Sequence, residues 1–224
     1  MRVQVYTMQS VDEALAVAGL GVDHVGVTPA ATGLPGEIAL DLAKDICASL
    51  GGIATSVALS VEADLRAIVH MVRTVKPDVL HLCGASGAVG PDAVADLRLA
   101  LPDIAVMQAI AVTGPEAVDV ARSYEQVVDY LILDSVAPDI PGIGAAGVVH
   151  DWDVSAAIVE AVGVPVILAG GLDPENVAAA IVAVRPWGVD SLTRTNRPSG
   201  AGGFSKDLDL VARFREAAHS EALT

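Results

Sequence analysis

Asp134 closes an apolar run, Tyr130–Leu133, and is the side chain best placed for proton chemistry. A carboxyl group at the carboxyl end of a strand, walled by apolar neighbours, is penalised for ionising. It can therefore hold a proton near neutral pH and donate it. His81 and Cys83 lie two residues apart on another apolar run, so strand parity points both the same way, into a pocket at that strand's end. His81 reads either as a general acid or base near neutral pH or as a hydrogen-bonded polar cap of the barrel. Cys83 reads either as a thiolate base or as a small buried filler. Gln108, at the end of a strand-like run, can hydrogen-bond a sugar or a carboxylate, and Thr7 can position a hydroxyl or a water. Asp190 reads as a residue that orders backbone.

Two segments suit an anion. Gly170-Gly171 follows an apolar run and precedes Asp173-Pro174, so free N–H groups sit at a turn that enters a helix. Thr193, Arg194, Thr195 and Asn196 form a second donor-rich stretch that fits a phosphate. His150-Asp151-Trp152 reads as a helix opening, with Asp151 the cap and Trp152 packing. The lysines, Lys44, Lys76 and Lys206, fall on a helix, at a helix end and at a helix start. None falls on a strand end, which disfavours Schiff-base chemistry. The histidines and carboxylates show no metal-ligand spacing, so no metal is expected.

The elements that must position these groups alternate regularly. Strand-like runs are Val3–Thr7, His24–Val27, Ile53–Leu59, Val79–Cys83, Ile104–Ile110, Tyr130–Leu133, Pro165–Ala169 and Gly188–Leu192. Most are apolar throughout, as expected of parallel strands covered on both faces. Helical spacing follows over Val11–Gly19, Gly36–Leu50, Val61–Val75, Gly90–Leu101, Gly114–Tyr124, Val154–Val162, Pro174–Val184 and Lys206–Ala218. Ser10 and Asp173-Pro174 supply helix-start chemistry. The pattern predicts one (β/α)8 barrel (TIM barrel) domain over residues 1–224, with an open doubly wound sheet as the alternative. That alternative wants a glycine-rich turn after the first strand, and Tyr6-Thr7-Met8-Gln9-Ser10 is not one. Pro138–Gly147 and Pro198–Gly203 are long connections on the face where barrels build their sites.

Composition removes other classes. A formal net charge of −15 disfavours nucleic acid and an anionic membrane as partners. A hydrophobic fraction of 53% excludes disorder, and 3% aromatics require a core of small aliphatic side chains. With two cysteines, no disulfide framework, no signal-like start and no membrane-length apolar run, the expected location is the cytoplasm.

From strand six onward the chain resembles a known family. LILDSVAPDIPGIGAAGVVHDWDVS, followed by PVILAGGLDPENVAAAIVAVRPWGVD, is similar to phosphoribosylanthranilate isomerases of tryptophan biosynthesis. VYTMQSVDEALAVAGLGVDHVGV, VLHLCGASG and VMQAIAV carry a weaker likeness over the earlier strands. The resemblance implies a ribulose-phosphate-binding barrel that performs an Amadori rearrangement on a phosphorylated metabolite, without cofactor or metal. It maps the general acid onto Asp134 and a phosphate loop onto Gly170 and Gly171. It maps the cysteine general base onto Thr7, a hydroxyl too weak for that task. The family's arginine after strand two falls in Ala31-Thr32-Gly33-Leu34, and its last phosphate segment reads Leu192-Thr193-Arg194-Thr195-Asn196. The expected activity is an isomerase with an altered base and an open question of substrate. The alternatives are a lyase or epimerase using His81 and Asp134, or a non-catalytic phosphometabolite-binding protein.

Overall fold

The computed structural model describes residues 1–136, 142–144, 147, 149–200 and 203–220. Eight parallel strands form a closed barrel in chain order: β1 (Arg2–Val5), β2 (His24–Val27), β3 (Thr55–Ser60), β4 (Val79–Leu82), β5 (Ala105–Ala111), β6 (Tyr130–Asp134), β7 (Val166–Leu168) and β8 (Gly188–Ser191). β1 pairs with β8 from Arg2 opposite Gly188 to Val5 opposite Ser191, which closes the ring. The helices are α1 (Val11–Gly19), α2 (Leu40–Ser49), α3 (Leu65–Val75), α4 (Pro91–Ala100), α5 (Ala117–Tyr124), α6 (Trp152–Ala161), α7 (Val177–Val184) and α8 (Leu208–Ser220). No helix among the described residues is long and apolar enough to cross a membrane.

The period of two in each strand sorts its side chains. Val3, Val5, Leu80, Leu82, Leu131 and Leu133 point outward and join the layer beneath the helices. Tyr6, Val79, Cys83, Met107, Ile132 and Ile167 fill the interior. Each fully buried aliphatic side chain contributes roughly 1.5–3 kcal/mol. The barrel thus needs few aromatics, because strands covered on both faces accommodate small branched residues best.

Several boundaries differ from the periodicity. α2 starts at Leu40 rather than Gly36, because Ile38 is held in a parallel bridge to Pro29. α3 starts at Leu65, where the Asp64 side chain accepts from Arg66 N. α7 starts at Val177, because Asp173 Oδ1 accepts from the N–H groups of Glu175 and Asn176 and holds a turn first. The largest departure is a hairpin that the periodicity does not predict. β9 (Asn196–Pro198) pairs antiparallel with β10 (Phe204–Lys206), so α8 begins only at Leu208.

One side chain ties the two ends of the barrel. Ser10 caps α1 by accepting from Glu13 N at 3.2 Å. The Glu13 carboxylate accepts from Gln9 N and, from β10, Lys206 N, both at 2.6 Å.

Candidate active site

Asp134 ends β6 on the interior face, half-buried, and bounds two adjoining cavities at the carboxyl face of the barrel. The smaller, about 270 Å³ with its open mouth included, is lined by Gly147, Gly170, Gly171, Ser191, Thr193 and Arg194, among others. The larger, about 540 Å³ with its open mouth included, is lined by Tyr6, Leu34, Leu59, His81, Cys83, Ile132, Ile143 and Leu192, among others. Asp190 also lines both. The site therefore joins a polar, glycine-lined end to a mainly apolar chamber, with two carboxylates at the junction.

The carboxylates are tuned by burial. Desolvation lifts Asp134 to about 7, against the pull of hydrogen bonds from the Ser135 N–H at 2.7 Å and hydroxyl at 3.4 Å. Asp190 is raised to about 8, first by burial and then by the charge of Asp134. Gln4 and Lys206 act on it in the opposite sense. Asp190 Oδ1 is buried without a hydrogen-bond partner among the described residues, and the nearby Gln4 Nε2 is likewise unpartnered. The loop after β6 presses onto this centre. A Cβ on Gly144 would lie 2.7 Å from Asp134 Oδ2, so only glycine permits the approach. Gly144 N donates to Ser135 O and Ile143 N to Cys83 O, each at 2.9 Å, which anchors the loop across β4 and β6.

The polar end is built from two turns. After β7, Gly170 and Gly171 both take positive φ, +84° and +64°. Successive residues of this kind turn N–H groups toward one concavity, which suits an anion. The turn is held from behind: Asn176 Nδ2 donates to Gly171 O at 3.0 Å, and Asp173 N donates to Asn176 Oδ1 at 2.9 Å. After β8, Thr193 and Arg194 border the cavity, and Arg194 Nη2 donates to Gly147 O at 3.1 Å.

Thr195 and Asn196 do not border either cavity. They turn toward Lys206, which is only 2% exposed. Its Nζ donates to Leu192 O at 3.0 Å, Thr195 Oγ1 at 3.4 Å and Asn196 Oδ1 at 2.5 Å. Burial pulls this ammonium down to about 7, while Asp190 and Glu13 oppose the shift. The periodicity puts Lys206 at a helix start; it stands instead at the end of β10. It is a buried cation beneath the β8 turn.

The remaining residues singled out for chemistry divide by parity. His81 and Cys83 do face the larger cavity, and burial lowers the proton affinity of one and raises that of the other. His81 Nδ1 is hydrogen-bonded to the Tyr6 hydroxyl at 2.9 Å, and burial lowers the ring to about 3, so it stays neutral. Burial, then the charge of Asp134, raises the Cys83 thiol far above neutrality, so it is no thiolate base. Gln108 lies mid-strand on the outer face of β5, with Nε2 donating to Ala109 O at 2.9 Å, and lines neither cavity. Thr7 is fully buried and accepts from the Thr28 hydroxyl at 3.0 Å; the lining residue from that stretch is Tyr6. Outward Val3 and Val5 already imply an inward Tyr6. Asp151 caps α6 by accepting from Asp153 N at 2.9 Å, and Trp152 packs on the outer core, as expected. Of Pro138–Gly147, residues 138–141, 145 and 146 lie outside the described residues, as do 201 and 202 of Pro198–Gly203. No metal-holding group of histidine, cysteine or carboxylate side chains occurs among the described residues.

Residues 10–196 match the family described as N-(5'phosphoribosyl)anthranilate (PRA) isomerase. The chain belongs to that family. Two relatives named N-(5'-phosphoribosyl)anthranilate isomerase are similar over most of their length. The one from Methanocella arvoryzae is 34% identical over 96% of each chain, and the one from Natronomonas pharaonis 35% identical over 88% of each. Among solved structures, phosphoribosyl anthranilate isomerase from Thermotoga maritima superposes with a TM-score of 0.78 at 25% identity, covering 97% of this chain and 98% of that one. A PRA isomerase solved with reduced 1-(o-carboxyphenylamino)-1-deoxyribulose 5-phosphate has the same fold, with a TM-score of 0.76 at 23% identity, covering 97% and 98%. The β1 end of the barrel carries Tyr6 and Thr7.

Proposed function

We propose that this chain catalyses the Amadori-type isomerisation of N-(5'-phosphoribosyl)anthranilate, in the cytoplasm. The observation that carries this reading is the position of Asp134, one side chain shared by an anion-suited turn and an apolar chamber. A phosphorylated aminosugar bearing an aryl group has that polarity: the phosphate meets Gly170, Gly171 and Thr193, and the ring meets Leu34, Leu59 and Ile143. Its sugar then spans the junction. Asp134, held protonated up to about pH 7 by burial, donates to the furanose ring oxygen and opens the ring. The chemistry consists of proton transfers, and the free cysteines Cys47 and Cys83 suit a reducing compartment.

Turnover is read from the loss of substrate fluorescence. The wild-type chain is expected to consume phosphoribosylanthranilate, and Asp134→Asn to lower kcat by about 100- to 10,000-fold, the range for one acid–base group. In the wild type, kcat should fall as pH rises through about 7, where Asp134 loses its proton. An inert wild type, or an Asp134→Asn variant with full kcat, would overturn the assignment.

A further inference from the structure

An Amadori rearrangement needs two proton-handling groups. One protonates the ring oxygen, and the second removes hydrogen from C2′. Thr7, onto which the resemblance maps the family's base, is buried against Thr28 and outside the cavity lining, where Tyr6 stands instead. His81 is engaged by Tyr6 through Nδ1, and although its Nε2 is also unpartnered among the described residues, burial leaves the ring a weak base; burial keeps Cys83 a thiol. Lys206 lines neither cavity, and its Nζ is turned toward Leu192, Thr195 and Asn196.

We propose that Asp190 is the general base, working as a couple with Asp134 across the same junction. The proposal rests on the isomerase reading above. β8 parity carries Gly188, Asp190 and Leu192 to the interior, and Asp190 is the other carboxylate among the described residues that borders both cavities. Its buried Oδ1 has no hydrogen-bond partner among those residues, the condition of an acceptor left free for a reacting atom. The Gln4 amide and the Lys206 ammonium both favour the charged form of Asp190, against burial and the charge of Asp134. Two carboxylates that oppose each other's ionisation hold about one proton between them near neutral pH. One member of the couple then serves as acid and the other as base.

The step balances without a co-reactant. Asp134 gives its proton to the ring oxygen as the C1′–O bond breaks, leaving an iminium at C1′. Asp190 takes the C2′ hydrogen as a proton, and the C–H electron pair forms the C1′=C2′ bond of an enaminol. Protonated Asp190 returns that proton to C1′. The C2′ hydroxyl loses its proton, by way of solvent, to Asp134 as the ketone forms.

The test uses the full chain carrying Asp190→Asn and Asp190→Ala. Both are assayed with phosphoribosylanthranilate and titrated with reduced 1-(o-carboxyphenylamino)-1-deoxyribulose 5-phosphate as a probe of an intact site. A general base predicts kcat lower by about 100- to 10,000-fold in both variants. Analogue affinity should stay near wild type, and added formate should restore part of the turnover of Asp190→Ala. Substrate deuterated at C2′ should slow the formate-rescued reaction. Full kcat in Asp190→Asn would overturn the base assignment while leaving the isomerase reading intact. Lost turnover with lost analogue binding and no formate rescue would make Asp190 a structural residue and also overturn it. A wild type inert toward phosphoribosylanthranilate would overturn the parent reading and this proposal together.

Discussion

The turns after β7 and β8 border the same small cavity but are built from different materials. The β7 turn is backbone: two glycines with positive φ, fixed from behind by the Asn176 amide and the Asp173 backbone N–H. The β8 turn is held by a side chain: Leu192, Thr195 and Asn196 are gathered around the buried ammonium of Lys206. A backbone nest keeps its shape at any pH. A nest propped on a buried amine depends on that amine's charge, because a neutral amine has one donor fewer for the same acceptors. The comparison teaches that one anion-suited surface can combine a fixed half with a titrating half.

Lys206→Met should give the largest difference between the turns. It strips donors from buried acceptors, at a cost of about 1–3 kcal/mol. In a chain of this size that lowers Tm by roughly 2–12 °C. Calorimetry measures it, and KM for the phosphorylated substrate should rise. The pH dependence gives a second mark. The folded Lys206 sits near 7, below its ordinary value, so the unfolded chain binds the proton more tightly. Its contribution to stability therefore increases as pH climbs from about 7 toward the unfolded lysine value near 10. Lys206→Met should lose that rise. If the slope survives, the β8 turn is no more titratable than the β7 turn.

Gly171→Ala tests the fixed half. Forcing a side chain into φ +64° costs roughly 1–2 kcal/mol, with a higher KM and no new pH dependence. Arg194→Ala is the mildest. The side chain is exposed and bonds one carbonyl, Gly147 O, so Tm should move by the equivalent of about 0.5 kcal/mol or less. A rise in KM with unchanged Tm would assign Arg194 to the ligand rather than to the loop.

Much of this is legible from periodicity. Apolar runs such as Val79–Cys83 and Tyr130–Leu133 locate strands, and Asp134 and Gly170-Gly171 stand out because they follow such runs. What periodicity misses has two physical origins. The first is parity. Gln108 reads as a strand-end residue, yet it lies mid-strand on the outer face of β5, while Asp190 and Tyr6 point inward. The second is a short hairpin. Asn196–Pro198 and Phe204–Lys206 have three residues each, too few for a periodic signal. Lys206 therefore reads as the opening of α8, and its burial is set by partners that only the closed barrel brings together. His81 and Cys83 face the expected way, but their proton affinity depends on desolvation, which parity does not report.

The contact between Glu13 and the backbone of Lys206 spans 193 positions. During synthesis β6, which carries Asp134, and the turn at Gly171 are made before residue 206. Seating of the amide of Lys206 on Glu13 brings the barrel's first helix and its last hairpin together, so the fold is fastened by a contact that joins the two ends of the sequence.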